Sequence, residues 1–259
     1  MKRLFVALVM TSLTIPFAVH AKDWTTIRFA TDASYPPFES KAPDGRLVGF
    51  DIDLGNEICE RMHARCVWME NSFDGMIPGL KARKFDAVLS SMTMTPKRKE
   101  QIAFSNRLYN TGSRLIVAKG SNLLPTSESL AGKSVGVEQG TIQETYAKTY
   151  WEPKGARVVA YQNQDQVYTD LTAGRIDAVL QNQVQAELGF LKTPRGANFT
   201  FAGNALSDPK ILGEGTGIGI RQEDVDLKAG IDAAIAGMLK DGTYRKIAGK
   251  YFDFNIYGE

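Results

Sequence analysis

Histidine and cysteine are scarce in this chain, and their scarcity excludes whole classes of chemistry. Of 259 residues, two are His and two are Cys. His20 falls in the apolar leader, which leaves His63 on a polar stretch. A zinc site or a His-based catalytic pair therefore lacks its ligands, and no metal or cofactor is expected. Past the leader, no apolar run approaches the length of a membrane-spanning helix. Excess charge is lacking too. The chain carries 31 Lys+Arg against 29 Asp+Glu, and removing Lys2 and Arg3 with the leader leaves 29 against 29. A neutral chain of this kind is not built for nucleic acid or for an anionic membrane surface.

What is present begins with that leader. Lys2-Arg3, the apolar run LFVALVMTSLTIPFAV and then Val19-His20-Ala21 have the order of a secretory signal, with cleavage expected after Ala21. In an exported protein an even pair of cysteines reads as a disulfide. Cys59 and Cys66 both lie in DIDLGNEICERMHARCVWME, where a bridge would clamp a helix to the strand that follows. Closing so short a loop contributes roughly 2–3 kcal/mol. A redox-active role would need tighter spacing and an activating environment.

From residue 26 onward, strand-like and helix-like segments alternate. TIRFATD, CVWME and FDAVLSS read as strands, with helices between them in FDIDLGNEICERM and FDGMIPGLKAR. After RLIVAK the pattern restarts with KSVGVEQG, ARVVAY and RIDAVLQ as strands. Such alternation predicts mainly parallel sheets with crossover helices. LKARKFDAVLSS (80–91) also aligns without a gap on LTAGRIDAVLQN (171–182), and the two part only at the strand ends. Two similar α/β halves would face each other with the carboxyl ends of their strands, where such sheets bind ligands. GEGTGIGIR reads as a Gly-rich strand returning to the first half, and its glycines make no dinucleotide fingerprint. DVDLKAGIDAAIAGMLKDG reads as an amphipathic helix with Val225, Leu227, Ile231, Ala234, Ile235 and Leu239 on its apolar face.

The chemistry concentrates at strand ends. In SSMTMTPKR, Thr95 and Pro96 signal a helix start, which puts Arg98 in the first turn beside free amides and near the hydroxyls of Ser90, Ser91 and Thr93. A guanidinium there suits a carboxylate; a phosphate loop would be richer in glycine. The plainer alternative is a solvated run, Lys97-Arg98-Lys99. In TDASYPPFES, Asp32 and Tyr35 offer a carboxylate and an aromatic face to a cation, or else a turn cap and a packing ring. Phe73 reads equally as a second aromatic face or as a staple at a helix entry.

Over residues 24–259 the chain resembles the periplasmic solute-binding proteins of ABC importers, in the lysine/arginine/ornithine- and histidine-binding group. TDASYPPF, GFDIDLGNEIC, SFDGMIPGLKARKFDAVLSSMTMTPKRKEQIAFS, GVEQGTIQETYA, GTGIGIR and DGTYRKIAGKYFDFNIYG carry the likeness, and the paired cysteines match. The resemblance implies a two-lobed α/β fold with two hinge strands, near Thr111–Ile116 and Glu214–Ile218. Residues 22–111 with 213–259 would form one lobe and 112–212 the other. It further implies a monomer in the periplasm that delivers an amino acid to an inner-membrane ABC permease. Arg98, helped by Ser91, Thr93 and the amides near Thr141, would hold the α-carboxylate. Asp32 would face the distal cation with Ser90 and Gln143 nearby, and Tyr35 and Phe73 would sandwich the stem.

Two positions depart from the family pattern. Asn182 stands where these binders carry an aspartate for the α-ammonium, and Glu138 where they carry an apolar residue. Either Glu138 has taken over the ammonium, or the ligand's α-nitrogen is substituted, as in an opine. The rival from another class is a periplasmic enzyme on the same fold, similar to cyclohexadienyl dehydratases, with Glu138 as a general acid.

Overall fold

The computed structural model describes residues 24–258; the expected signal and its cleavage site lie outside the described residues. Among the described residues thirteen strands run in chain order: β1 Thr26–Thr31, β2 Ser34–Tyr35, β3 Glu39–Lys41, β4 Leu47–Val48, β5 Arg65–Glu70, β6 Ala87–Val88, β7 Ala103–Phe104, β8 Ser113–Ala118, β9 Ser134–Glu138, β10 Arg157–Tyr161, β11 Ala178–Asn182, β12 Phe199–Leu206 and β13 Gly219–Ile220. The helices are α1 Phe50–Arg61, α2 Met76–Lys81, α3 Pro96–Lys99, α4 Ser127–Leu130, α5 Ile142–Tyr150, α6 Gln164–Thr172, α7 Gln183–Ala186, α8 Pro209–Leu212, α9 Val225–Asp241 and α10 Thr243–Ala248.

Two five-stranded sheets carry the two lobes, in the orders β5-β1-β6-β13-β7 and β10-β9-β11-β8-β12. In each sheet the first three strands are parallel, joined through crossover helices. The last two strands of each sheet pair antiparallel, so the sheets are parallel in one half and mixed overall. The aligned segments 80–91 and 171–182 supply the central strands, β6 and β11, of their respective sheets. Their DAVL runs are uniformly apolar after the Asp because a central strand in a covered sheet is buried on both faces. The chain crosses between sheets twice, between β7 and β8 and between β12 and β13.

The disulfide forms between Cys59 and Cys66, with Cα atoms 5.8 Å apart, tying the end of α1 to the start of β5. Helix α9 buries Leu227, Ile231, Ala234 and Ile235 as its periodicity predicts, together with Met238. Val225 and Leu239 are exposed instead. Each lies well over 90° around the helix from Leu227, off the packed face. The glycine-rich return segment is shorter as a strand than predicted, ladder pairing being confined to Gly219–Ile220 and to bridges from Thr216 to Thr93 and Tyr109. Gly213 and Gly215 adopt φ of 72° and 118°, outside any strand geometry. A small sheet, β2-β3-β4, stands beside the first lobe; two-residue strands have no periodicity that sequence reading can detect.

Candidate functional site

Thr95 opens α3 by accepting the Arg98 amide on its hydroxyl, with Pro96 at the first helical position. The Arg98 side chain turns inward and is 8% exposed. Its Nη1 donates to the Thr93 carbonyl at 2.9 Å, and its Nη2 donates to the Gly140 carbonyl of the other lobe at 3.1 Å. Phe73, which opens a short turn after β5, lies under the guanidinium, 5.3 Å from carbon to ring centre. Arg98 has no acidic partner among the described residues, and burial lowers its pKa to about 10, which still leaves it charged at neutral pH. A buried guanidinium with no counter-ion is an anion trap.

Beyond the carboxyl end of β1, Asp32 accepts from the Ser34 amide and hydroxyl, and its own amide donates to Ser90 Oγ. Glu138 ends β9 and lines the same pocket as Asp32, from the other side of the cleft. Burial, and then the nearness of Asp32, pushes the Glu138 carboxyl well above the usual carboxylate range; burial pushes Asp32 up as well. Tyr35 donates its hydroxyl to Gln181 Oε1 at 2.7 Å, a second bond between lobes.

One pocket of about 380 Å³ is lined by Asp32, Tyr35, Phe73, Ser90, Ser91, Thr93, Arg98, Glu138, Thr141, Gln143 and Asn182. Every residue singled out from sequence thus lies at one place, at the carboxyl ends of strands from both sheets. Their partners differ in part from expectation. Gln143, one residue into α5, lines the pocket with Ser90 and donates to Ser113 Oγ at 2.8 Å. Thr141 caps α5 by accepting from the Glu144 amide, and its hydroxyl donates to the Glu138 carbonyl. Asn182 caps α7: its Oδ1 accepts from the Val184 and Gln185 amides, and its Nδ2 donates to Thr111 Oγ1. Its acceptor is therefore occupied by the helix.

Two lining residues escaped sequence reading, Glu39 and Ile142. Glu39, on β3, accepts from Ser90 Oγ and, at 3.4 Å, from Ser91 Oγ. It stands against Asp51, a fully buried acid in the first turn of α1. Asp51 in turn accepts from the Ser91 amide and the Tyr109 hydroxyl. Burial raises both carboxyls, Asp51 to about 6; the nearness of Asp51 lifts Glu39 further, whereas the hydrogen bonds Asp51 receives hold it down in part. The one available signal was an acid within the apolar start of GFDIDL. Ser91 holds φ at 50°, a conformation costly for a non-glycine residue and stabilised here by these contacts. Among the described lining residues the charges thus comprise one guanidinium and three carboxyl groups, with no ion pair between them.

Residues 27–254 match the family described as bacterial extracellular solute-binding proteins, family 3. The lysine/arginine/ornithine-binding periplasmic protein of Escherichia coli (strain K12) is 55% identical over 234 residues, covering 90% of each chain. The histidine-binding periplasmic protein of the same organism is 51% identical over 255 residues, 98% of this chain and 97% of that one. Among solved structures, an ancestral arginine-binding protein bound to arginine superposes with a TM-score of 0.82 at 35% identity, over 90% of this chain and 100% of the other. These relatives are binding proteins, not enzymes. By a family match that spans almost all of the described residues, the chain belongs to family 3 of the bacterial extracellular solute-binding proteins.

Proposed function

We propose that this protein captures a cationic amino acid (arginine, lysine, ornithine or histidine), or a derivative such as an opine, in the periplasm and delivers it as a closed monomer to an inner-membrane ABC permease. The observation that carries this reading is the separation of charge in the pocket. Among the described residues, Arg98 is buried without an acid, and Glu138, buried, and Asp32, half-buried, stand without a base. A ligand with a carboxylate at one end and a cation at the other supplies both missing partners. Arg98, Ser91, Thr93 and the amides at Thr141 hold the carboxylate; Tyr35 and Phe73 enclose the stem.

Residues 22–111 with 213–259 act as one lobe and 112–212 as the other, hinged at Thr111–Gly112 and Gly213–Gly215. Closing brings Arg98 onto the Gly140 carbonyl and Tyr35 onto Gln181, so the ligand is shut away from water as the lobes meet. The opine reading draws on Asn182, which brings no charge and whose acceptor is occupied in capping α7.

Calorimetric titration of refolded, ligand-free protein with arginine, lysine, ornithine, histidine, octopine and nopaline tests the proposal. At least one ligand is expected to bind with Kd of about 1 μM or tighter. Arg98→Ala is expected to weaken that binding at least ~100-fold, the scale of a lost buried charge pair. Silence toward the whole panel, together with turnover of prephenate, would instead favour the enzyme.

A further inference from the structure

Glu138 is the most unusual group in the pocket. Its carboxyl is 3% exposed, Oε1 has no hydrogen-bond partner, and it forms no ion pair among the described residues. Asp32 lines the same pocket from the opposite lobe. Tyr35, Asp74, Asp165 and Tyr168 are the other titratable groups around it, and Glu39 stands behind Asp32. None of these is a cation.

Strand register decides which end of the ligand Glu138 serves. β9 and β11 are parallel, with Gly136 opposite Val179. Continuing that register sets Glu138 beside Gln181, one residue short of Asn182. Successive side chains point to opposite faces of a strand. Glu138 therefore shares its face with Gln181, which holds the Tyr35 hydroxyl. Asn182 points the other way, to Thr111. Glu138 works on the side of Tyr35 and Asp32, not at the place that Asn182 occupies.

We propose that Glu138 is a specificity-determining residue: with Asp32 it forms a two-carboxylate clamp, one jaw on each lobe, that selects a guanidinium over a primary ammonium as the ligand's distal cation. This rests on the reading of the pocket as a site for a cationic acid. A guanidinium is flat and carries donors along more than one edge, so it satisfies two facing carboxylates at once. An ammonium is a compact, strongly hydrated charge that loses more on entering a dry clamp. A buried carboxyl that faces a second carboxyl in one pocket, with no cation beside it, resists ionising, so the empty clamp holds a proton on Glu138, the more deeply buried of the two. The entering cation replaces it, and the proton leaves to solvent.

The test is calorimetry at pH 7 with arginine and with lysine, each in phosphate and in Tris, whose different ionisation heats count the protons exchanged. Wild type is expected to bind arginine at least ~10-fold tighter than lysine and to release about one proton per arginine. Glu138→Gln is expected to release none, to lose at least ~10-fold in arginine affinity and to discriminate less than ~3-fold. An unchanged arginine preference and proton count in the variant would overturn the clamp. Absence of proton release in wild type overturns it too, whatever the variant's folding. If wild type binds neither these two ligands nor any other member of the panel, the cationic-acid reading fails as a whole; binding that ignores Glu138→Gln sinks the clamp alone.

Discussion

Glu39, in the pocket wall, and Asp51 behind it are both buried, and this makes the protein's stability depend on pH in an unusual sense. Both carboxyls are raised above their ordinary values by burial, Glu39 further by the nearness of Asp51, so the folded state binds more protons than the unfolded one. Stability then falls as pH rises. For Asp51 the contribution is complete below about 4 and lost as pH climbs through about 6. A shift of that size corresponds to something on the order of 2–3 kcal/mol at most. Asp32 and Glu138, raised in the same direction, add to it in the ligand-free protein. Thermal melting of ligand-free protein between pH 5 and pH 8 should show wild type losing more stability than Asp51→Asn, whose Oδ1 still accepts from Ser91 and Tyr109. Parallel curves for the two proteins would contradict this account of the pair.

At the scale of elements, closure depends on two places where the lobes touch without side chains between them. Gly189 lies in the π-helical turn Glu187–Leu191, and a Cβ there would sit 2.4 Å from the Pro36 carbonyl oxygen of the other lobe. Gly140, at φ 79°, would place a Cβ 2.7 Å from the Asp74 Cα. Gly189→Ala is the cleaner test because its backbone is helical and suits alanine. The expected outcome is a loss of at least ~10-fold in ligand affinity with the melting temperature of the ligand-free protein held or raised, read by titration and by calorimetric melting. Wild-type affinity in this variant would mean that the lobes need not approach this closely. These close approaches were invisible in the sequence because each joins glycine to a residue far away along the chain. The strand ends were legible for the opposite reason. An apolar run that stops at Ser90-Ser91 or at Gln181-Asn182 marks its own end locally, and Thr95-Pro96 marks the helix that aims Arg98. Glu39 was hidden because β2 to β4 are too short to show alternation, and the pairing of Glu138 with Asp32 because it forms only when two sheets face each other.

At the scale of the whole molecule, the chain makes one α/β unit twice and uses the gap between the copies. The aligned segments 80–91 and 171–182 made the duplication legible, and the structure places them as β6 and β11, central in equivalent sheets. The antiparallel strand β13 reaches the first sheet only after the chain has passed through the second lobe, whereas β8 to β12 build the second sheet from one continuous segment. The chain passes between the two sheets twice, between β7 and β8 and between β12 and β13, and the proposed hinges lie in those two connections. The measurement that tests closure most directly is small-angle X-ray scattering of the refolded, ligand-free protein, alone and saturated with the tightest ligand of the panel. The expected result is a radius of gyration that falls on saturation by on the order of 1 Å, as for hinge closure of two lobes, and that does not fall for Gly189→Ala. Saturating ligand with an unchanged radius in wild type would contradict binding by closure.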